Sequence, residues 1–165
     1  MAVASNSSPL IYLAALSDFD LLRELFGQLV IPPAVYEEVV ERGVGYPVQE
    51  AVQHCLGDWI RVEPLSGTEL RDTLIHQRGL QVGESEVIAL ATSLRVGTVL
   101  MDDRDAVACA RALGLRVIRT PLIYNEAKNR GRIANVRAKL DELRSAGFRL
   151  SDRDYQAILK SLGEL

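Results

Sequence analysis

The sequence is poor in the residues that build disulfide frameworks, zinc sites and aromatic binding surfaces. Among 165 residues there are two cysteines and two histidines, and aromatic residues account for 5%. Cys55 and Cys109 lie far apart and form no CxxC motif, which predicts two reduced, buried thiols. His54 and His76 are too few for a zinc site. Catalysis by histidine or cysteine is therefore not expected.

Long apolar runs are also absent. No stretch approaches the roughly 20 apolar residues that a helix needs to cross a bilayer. The start, MAVASNSSPLIYLAAL, carries no basic residue and is interrupted by Pro9, so it does not resemble a signal peptide. Hydrophobic residues make up 48% and charged residues 25%, as in ordinary globular proteins. We expect a cytoplasmic protein without a membrane partner, with one domain over residues 1–165 in which 135–165 form a C-terminal helical extension.

Charge is unevenly distributed along the chain, although the net charge is only −3. Residues 1–101 carry 6 basic and 13 acidic side chains, whereas residues 102–165 carry 13 basic and 9 acidic ones. Within 104–139 the count is 9 basic against 2 acidic, and 16 of all 19 basic residues are arginine. Because the guanidinium fork suits phosphate, this segment indicates contact with a polyanion. The alternative is a set of solvated helix faces.

Apolar periodicity and turn residues predict alternating short strands and helices. The predicted strands are 2–5, 29–31, 59–62, 98–101 and 116–118. The predicted helices are 9–16, 18–26, 32–41, 48–56, 68–77, 84–95, 106–113, 122–129, 136–145 and 152–162, with Ser8 and Ser151 as N-caps. Strand–helix–strand units with short connections favour a parallel sheet covered on both faces. The predicted fold is α/β: a three-layer α/β/α sandwich with a central, mostly parallel sheet and a helical C-terminus.

Polar residues at the predicted strand ends form a candidate metal site. Asn6 follows the first strand, and Asp102 and Asp103 follow the strand 98–101. Glu38 and Glu86 lie on helices that could bring their carboxylates to the same edge of the sheet, where sites form in open α/β sheets. Clustered carboxylates repel unless a cation or protons compensate them. Such an all-oxygen set suits Mg²⁺ or Mn²⁺.

Each of these residues also has a purely structural interpretation. Asp102 and Asp103 could cap the following helix at its positive end. Glu86 could be an ordinary first-turn helix acid, and Glu38 could lie on a solvated helix face. Asn6 could be a turn or cap residue. Only the conjunction of all of them in an alternating α/β chain favours a functional site.

Five segments resemble a known family, and together they span most of the chain. These are SNSSPLIYLA (5–14), IPPAVYEEV (31–39), GESEVIALA (83–91), GTVLMDDRDAVACARALGLRVI (97–118) and DELRSAGFRLSD (141–152). The third and fourth are the more specific. On these segments the chain resembles the PIN domain of the VapC-like ribonuclease superfamily. It is most similar to an uncharacterised PIN-like branch described as predicted nucleic-acid-binding proteins.

The resemblance implies a role for each candidate residue. The four acidic positions of the family fall on Asn6, Glu38, Glu86 and Asp103, with Asp102 beside the last. Glu38, Glu86 and Asp103 would hold Mg²⁺ or Mn²⁺, and Asn6 and Asp102 would assist. Ser8 would orient the loop or a water molecule in the catalytic set.

The resemblance also implies an activity and partners. The family cleaves single-stranded or structured RNA with a divalent metal. Many bacterial members are toxins held inactive by a small antitoxin protein, and many form homodimers. The implied function is thus a Mg²⁺- or Mn²⁺-dependent endoribonuclease, with RNA, an antitoxin and a second copy of the chain as partners.

One departure from the family pattern supports an alternative. Asn6 stands where the family usually has Asp, and its amide oxygen can ligate a cation but brings no charge. Ala106 and Val107 also replace a Gly-Arg pair that is frequent in the branch. A non-catalytic or weakly active module that binds nucleic acid or protein is therefore the second hypothesis. A phosphotransfer receiver domain fits less well, because the acidic pair comes late in the chain. A dinucleotide-binding enzyme lacks its glycine-rich motif.

Overall fold

Five short parallel strands form the centre of the protein, in a computed structural model that describes residues 2–165. Their order across the sheet is β3-β2-β1-β4-β5. The strands are β1 (Ala2–Ser5), β2 (Gln28–Ile31), β3 (Ile60–Val62), β4 (Thr98–Leu100) and β5 (Arg116–Ile118). β1 is central: Ala4 pairs with Val30 of β2 on one side and with Val99 of β4 on the other.

Helices cover both faces of this sheet. They are α1 (Ser7–Ala15), α2 (Asp20–Phe26), α3 (Pro33–Tyr36), α4 (Pro47–Cys55), α5 (Glu69–Arg78), α6 (Val82–Leu94), α7 (Arg104–Ala112), α8 (Thr120–Asn129), α9 (Val136–Ser145) and α10 (Asp152–Ser161). In β2, Leu29, Val30 and Ile31 are all fully buried. Because successive strand side chains point to opposite faces, both faces are covered and the sandwich has three layers. The predicted fold class is confirmed.

Helix α3 does not end in an ordinary cap. It continues as a π-helical turn over Glu37–Glu41, which is closed by a hydrogen bond from the Arg42 N–H to the Glu37 carbonyl at 2.8 Å. A π-turn inserts one extra residue into the helix, and such turns are frequent at functional sites. The backbone then turns at buried Gly43, where a Cβ atom would lie 1.9 Å from the Val39 carbonyl oxygen.

The first helix starts earlier than predicted, and Ser8 is not its N-cap. α1 begins at Ser7, with Asn6 in the N-cap position. Pro9 fits inside the first turn because its nitrogen would lack an intrahelical acceptor in any case. The hydroxyl of Ser8 is thereby free to donate to Asp102 Oδ2 at 2.7 Å. Ser151 does cap α10, accepting from the Asp154 N–H at 3.1 Å.

The C-terminal helices pack on the rest of the molecule. Leu140, Leu143 and Leu159 are fully buried. Glu164 pairs with Lys128 of α8 at 2.6 Å and accepts from the Val136 N–H at 3.0 Å. This glutamate therefore ties the end of the chain to α8 and to the start of α9. Within residues 2–165, no helix is both long enough and apolar enough to span a membrane.

Candidate metal-binding cleft

A cleft of about 330 Å³ opens where β1 ends. The Asn6 N–H donates to the Leu100 carbonyl at 2.9 Å, which holds the ends of β1 and β4 together. The cleft is lined by Asn6, Ser7, Ser8, Ile11, Tyr12, Glu38, Gln81, Gly83 and Glu84. It therefore lies at the carboxyl edge of the parallel sheet, as the sequence predicted for a site.

Asn6 brings an amide into this cleft from the N-cap position of α1. Its backbone is extended (φ −78°, ψ 174°), and its side chain makes no hydrogen bond to the helix it precedes. The residue is only 9% exposed. A Cβ atom on Gly83 would lie 3.4 Å from Asn6 Oδ1, so the amide oxygen faces the start of α6. The side chain therefore does not cap α1, and its amide oxygen lies in the cleft.

Glu38 reaches the same point from the π-helical turn. Its Oε2 accepts from the Ser7 hydroxyl at 2.8 Å, which fixes the carboxylate beside the start of α1. The same hypothetical Cβ on Gly83 would lie 3.7 Å from Glu38 Oε2. Asn6 and Glu38 therefore present oxygens to one small space, which the absent side chain of Gly83 leaves open.

The cleft also contains Glu84, an acidic residue that is not among the predicted site residues. Burial, together with the carboxylates of Asp103, Glu38 and Asp105, raises the pKa of Glu84 above its usual range. Its Oε2 accepts from the Gln81 N–H at 3.3 Å as part of a capping box at the start of α6. The sequence signal is the Gln-x-x-Glu spacing at 81–84, which places the helix start two residues before the predicted one.

The structure does not bring Glu86 into the cleft. Its carboxylate is 6% exposed and accepts from the Ala34 N–H at 3.1 Å, at the start of α3. Arg71 lies 4.0 Å from its other oxygen. Residues two apart on a helix are separated by about 200° around the axis, so Glu84 and Glu86 cannot share one face. Glu86 instead supports the helix that leads into Glu38.

Asp102 and Asp103 have different surroundings although they are adjacent. Asp103 Oδ2 accepts from the N–H groups of Asp105 and Ala106 and caps α7, while its carboxylate is close enough to Glu84 to raise that pKa. Asp102 accepts three hydrogen bonds: from the Ser8 hydroxyl at 2.7 Å, the Thr120 N–H at 2.7 Å and the Thr120 hydroxyl at 2.6 Å. Asp102 therefore connects α1 to α8, whereas Asp103 caps α7 and acts on Glu84 through its charge.

The donors of the cleft fit a hard divalent cation. Among residues 2–165, no three Asp, Glu, His or Cys side chains converge closely enough to hold a metal by themselves. Mg²⁺, however, commonly uses one or two carboxylates and keeps waters or substrate phosphate for the remaining positions. The amide of Asn6, the carboxylate of Glu38 and the space left by Gly83 match that incomplete shell. Burial and then the neighbouring carboxylates raise the pKa of Glu84, and a bound cation would offset both effects.

Comparison with known proteins identifies the family. A family model described as a PIN domain matches residues 2–164, and the chain belongs to this family. Among solved structures, PAE2754 from Pyrobaculum aerophilum matches with a TM-score of 0.56 and 17% identity, covering 78% of this chain and 96% of that one. That likeness supports the fold. A comparison with curated proteins finds no match. PIN domains are generally nucleases and typically use divalent metals.

Proposed function

We propose that this PIN-domain protein is a Mg²⁺- or Mn²⁺-dependent endoribonuclease. The observation that carries the proposal is the convergence of Asn6 and Glu38 on the space above Gly83, beside Glu84, whose pKa is raised by burial and by neighbouring carboxylates. RNA is the substrate class that the family resemblance implies. The arginine-rich half of the chain supplies the charge that a phosphodiester backbone requires.

Three residues of the cleft would hold the cation, and others would position them. Asn6, Glu38 and Glu84 line the cleft, and Asp103, which caps α7, adds a negative charge near Glu84. When bound, such a cation neutralises charge on the phosphodiester and promotes ionisation of a water molecule. The Ser7 hydroxyl holds the carboxylate of Glu38 in place.

Asp102, Ser8 and Glu86 are assigned to positioning. Asp102 joins Ser8, which lines the cleft, to Thr120 at the start of α8. Glu86 accepts a hydrogen bond from the Ala34 N–H and so holds the start of α3. The π-helical turn that continues α3 contains Glu38. These assignments differ from the metal-ligand roles that the family resemblance implies for Glu86 and Asp102.

The cleavage assay that tests the proposal uses purified protein, mixed RNA substrates, and Mn²⁺ or EDTA. Wild type is expected to cut RNA with Mn²⁺ and to leave it intact in EDTA, and Glu38→Gln is expected to be inactive in both. If wild type cuts nothing with Mn²⁺, or if Glu38→Gln cuts equally, the endoribonuclease assignment is wrong.

A non-catalytic binding module is the second candidate. Asn6 favours it, because the amide contributes no charge where the family usually has a carboxylate. On that reading the protein binds RNA or a protein partner without Mn²⁺ binding. Calorimetry distinguishes the two: Mn²⁺ binding by wild type supports the nuclease, and RNA binding without any Mn²⁺ binding supports the module.

We also propose that the protein acts as the toxin of a pair with a small antitoxin and that it forms a homodimer. Both proposals rest on the family resemblance. Expression of the chain alone should then arrest growth of a bacterial host, and Glu38→Gln should abolish the arrest. Light scattering of the purified protein measures the dimer directly.

A further inference from the structure

A second concave site lies beside the cleft, and its lining is basic. It is a cavity of about 650 Å³ between one face of α7 and the beginnings of α8 and α10. Arg104 and Arg111 line it from α7, Arg119 from the residue before α8, and Ser151 and Arg153 from the start of α10. Asp154 is the acidic residue of the lining. We call this site the arginine cavity.

The arginines of this cavity lack the carboxylate partners that seven of the 16 arginines of the protein have. Arg116, Arg132 and Arg144, for example, each form an ion pair with a carboxylate. Within the part of the chain that the structure describes, no carboxylate lies within 4.0 Å of the side-chain nitrogens of Arg104, Arg111, Arg119 or Arg153. The cluster therefore keeps its charge available for an external anion.

Arg119 adds a specific indication of a ligand. Its Nε atom is buried and has no hydrogen-bond partner in the described residues. A buried N–H without an acceptor is costly, and Arg119 as a whole is only partly buried in the cavity lining, where an anion would compensate the charge of its guanidinium. Arg119 and Ser151 are also the N-cap residues of two ten-residue helices, α8 and α10, whose positive ends therefore meet at the cavity.

The arginine cavity is joined to the acidic cleft by Asp102. That carboxylate accepts from Ser8, which lines the cleft, and from Thr120, which directly follows Arg119 in the cavity wall. Arg104 of the cavity wall directly follows Asp103, whose carboxylate acts on Glu84 in the cleft. The cavity is therefore connected to the cleft through Asp102, and it lies at the same carboxyl edge of the sheet, where β4 and β5 end.

We propose that the arginine cavity binds a backbone phosphate of RNA at a position outside the scissile bond, and that α10 thereby takes part in substrate binding. This inference rests on the proposed function for the identity of the polyanion. Phosphodiester is favoured over an acidic peptide because the cavity adjoins a cleft suited to cation-assisted phosphodiester chemistry. The planar forks of the four arginines can each contact phosphate oxygens in pairs.

RNA binding without metal tests the inference independently of cleavage. Fluorescence anisotropy of a labelled single-stranded RNA oligonucleotide is measured in EDTA, between about 50 and 200 mM salt, the range over which phosphate contacts change affinity steeply. Arg111→Gln and Arg153→Gln are each expected to weaken binding several-fold and to reduce the salt slope by about 0.7. Asp154→Asn removes the acid from the lining and is expected to tighten binding.

Arg95→Gln is the matched control. Arg95 is exposed and lies just before β4, at the opposite edge of the sheet from the cleft. Its replacement removes the same charge and should leave the RNA affinity within twofold of wild type. Urea unfolding of each variant confirms that these exposed positions leave the fold intact.

Three results would overturn the inference. Arg111→Gln and Arg153→Gln could bind RNA with the affinity and salt slope of wild type. Arg95→Gln could weaken binding as much as they do, which would indicate a general charge effect. An oligoglutamate peptide could compete as well as RNA at equal ionic strength, which would assign the cavity to carboxylates. Loss of binding by the cavity variants, with no Mn²⁺-dependent cleavage by wild type, would refute the nuclease but retain the cavity.

Discussion

Glu84 and Glu86 lie two residues apart on α6 and serve opposite sides of that helix. Glu84 lines the cleft with Asn6 and Glu38. Glu86 instead accepts a hydrogen bond from the Ala34 N–H at the start of α3. On the proposed function, Glu84 would contribute to the cation site, whereas Glu86 holds the start of α3, the helix that leads into Glu38.

Conservative replacement of the two glutamates should separate metal binding from stability. Glu84→Gln removes a carboxylate that is repelled by its neighbours, so we expect Mn²⁺ affinity to fall at least about tenfold while metal-free stability is kept or rises. Glu86→Gln weakens a buried, charge-assisted hydrogen bond, so we expect a loss of about 1–2 kcal/mol in the free energy of unfolding. Calorimetry and urea unfolding measure the two effects. If Glu86→Gln abolished Mn²⁺ binding in a fully stable protein, the metal-ligand role implied by the family resemblance would be correct.

Much of the fold could be predicted from the sequence because its elements are short and well punctuated. The strands at Ala2–Ser5 and Arg116–Ile118 and the helix at Val136–Ser145 have the predicted bounds. The others shift by one to a few residues, since propensity does not determine where a helix frays or where its cap forms. The all-parallel sheet follows from the alternation of strands and helices.

The candidate site was less predictable because it depends on which face each side chain occupies. The prediction started α6 at Glu84, whereas the Gln81–Glu84 capping box starts it at Val82. Sequence spacing alone does not decide which of two first-turn acids meets the strand ends. Nor does it reveal the π-helical turn, whose extra residue rotates Glu38 relative to an uninterrupted helix.

Gly43 should be required for the shape of that turn. A Cβ atom there would lie 1.9 Å from the Val39 carbonyl oxygen, so the backbone must move to accept any side chain. We expect Gly43→Ala to destabilise the protein by about 2–3 kcal/mol, as overpacking in a buried site does, and to weaken Mn²⁺ binding because Glu38 shifts. Urea unfolding and calorimetry measure both.

Gly67→Ala is the control for that prediction. Gly67 has no atoms within 4 Å of its hypothetical Cβ and lies in an exposed segment, so the same substitution should be nearly neutral. Equal effects at the two glycines would mean that the π-helical turn has no special need for Gly43.

The stability of the metal-free protein should depend on pH through Glu84. Burial and the carboxylates of Asp103 and Glu38 raise the pKa of Glu84 above its ordinary 4.5, so the folded state binds this proton more tightly than the unfolded state. The loss of stability that comes from ionising Glu84 in the folded state is absent below about pH 4.5, where Glu84 is protonated in both states. It develops as the pH rises through the folded-state pKa. Wild type should therefore lose stability relative to Glu84→Gln over that window. Urea unfolding measures the difference in the free energy of unfolding between the two proteins. A difference that does not change with pH would contradict this expectation.

Asn6→Asp should convert the cleft into the usual acidic form of the family. The new carboxylate would lie beside Glu38 and near Gly83, where the amide oxygen now lies. Since a charged oxygen binds Mg²⁺ or Mn²⁺ more strongly than an amide oxygen, we expect Mn²⁺ affinity to rise by about tenfold. The added repulsion among unpaired acids should lower the stability of the metal-free protein by about 1 kcal/mol, and Mn²⁺ should restore it.

Asn6→Ala completes this comparison, because it removes the oxygen without adding charge. If the amide is a ligand in the natural protein, Mn²⁺ affinity should decrease in the order Asn6→Asp, wild type, Asn6→Ala. If instead wild type and Asn6→Ala both fail to bind Mn²⁺ while Asn6→Asp binds it, the natural chain has lost its metal. The binding module would then be the better account, and RNA affinity would depend on the arginines alone.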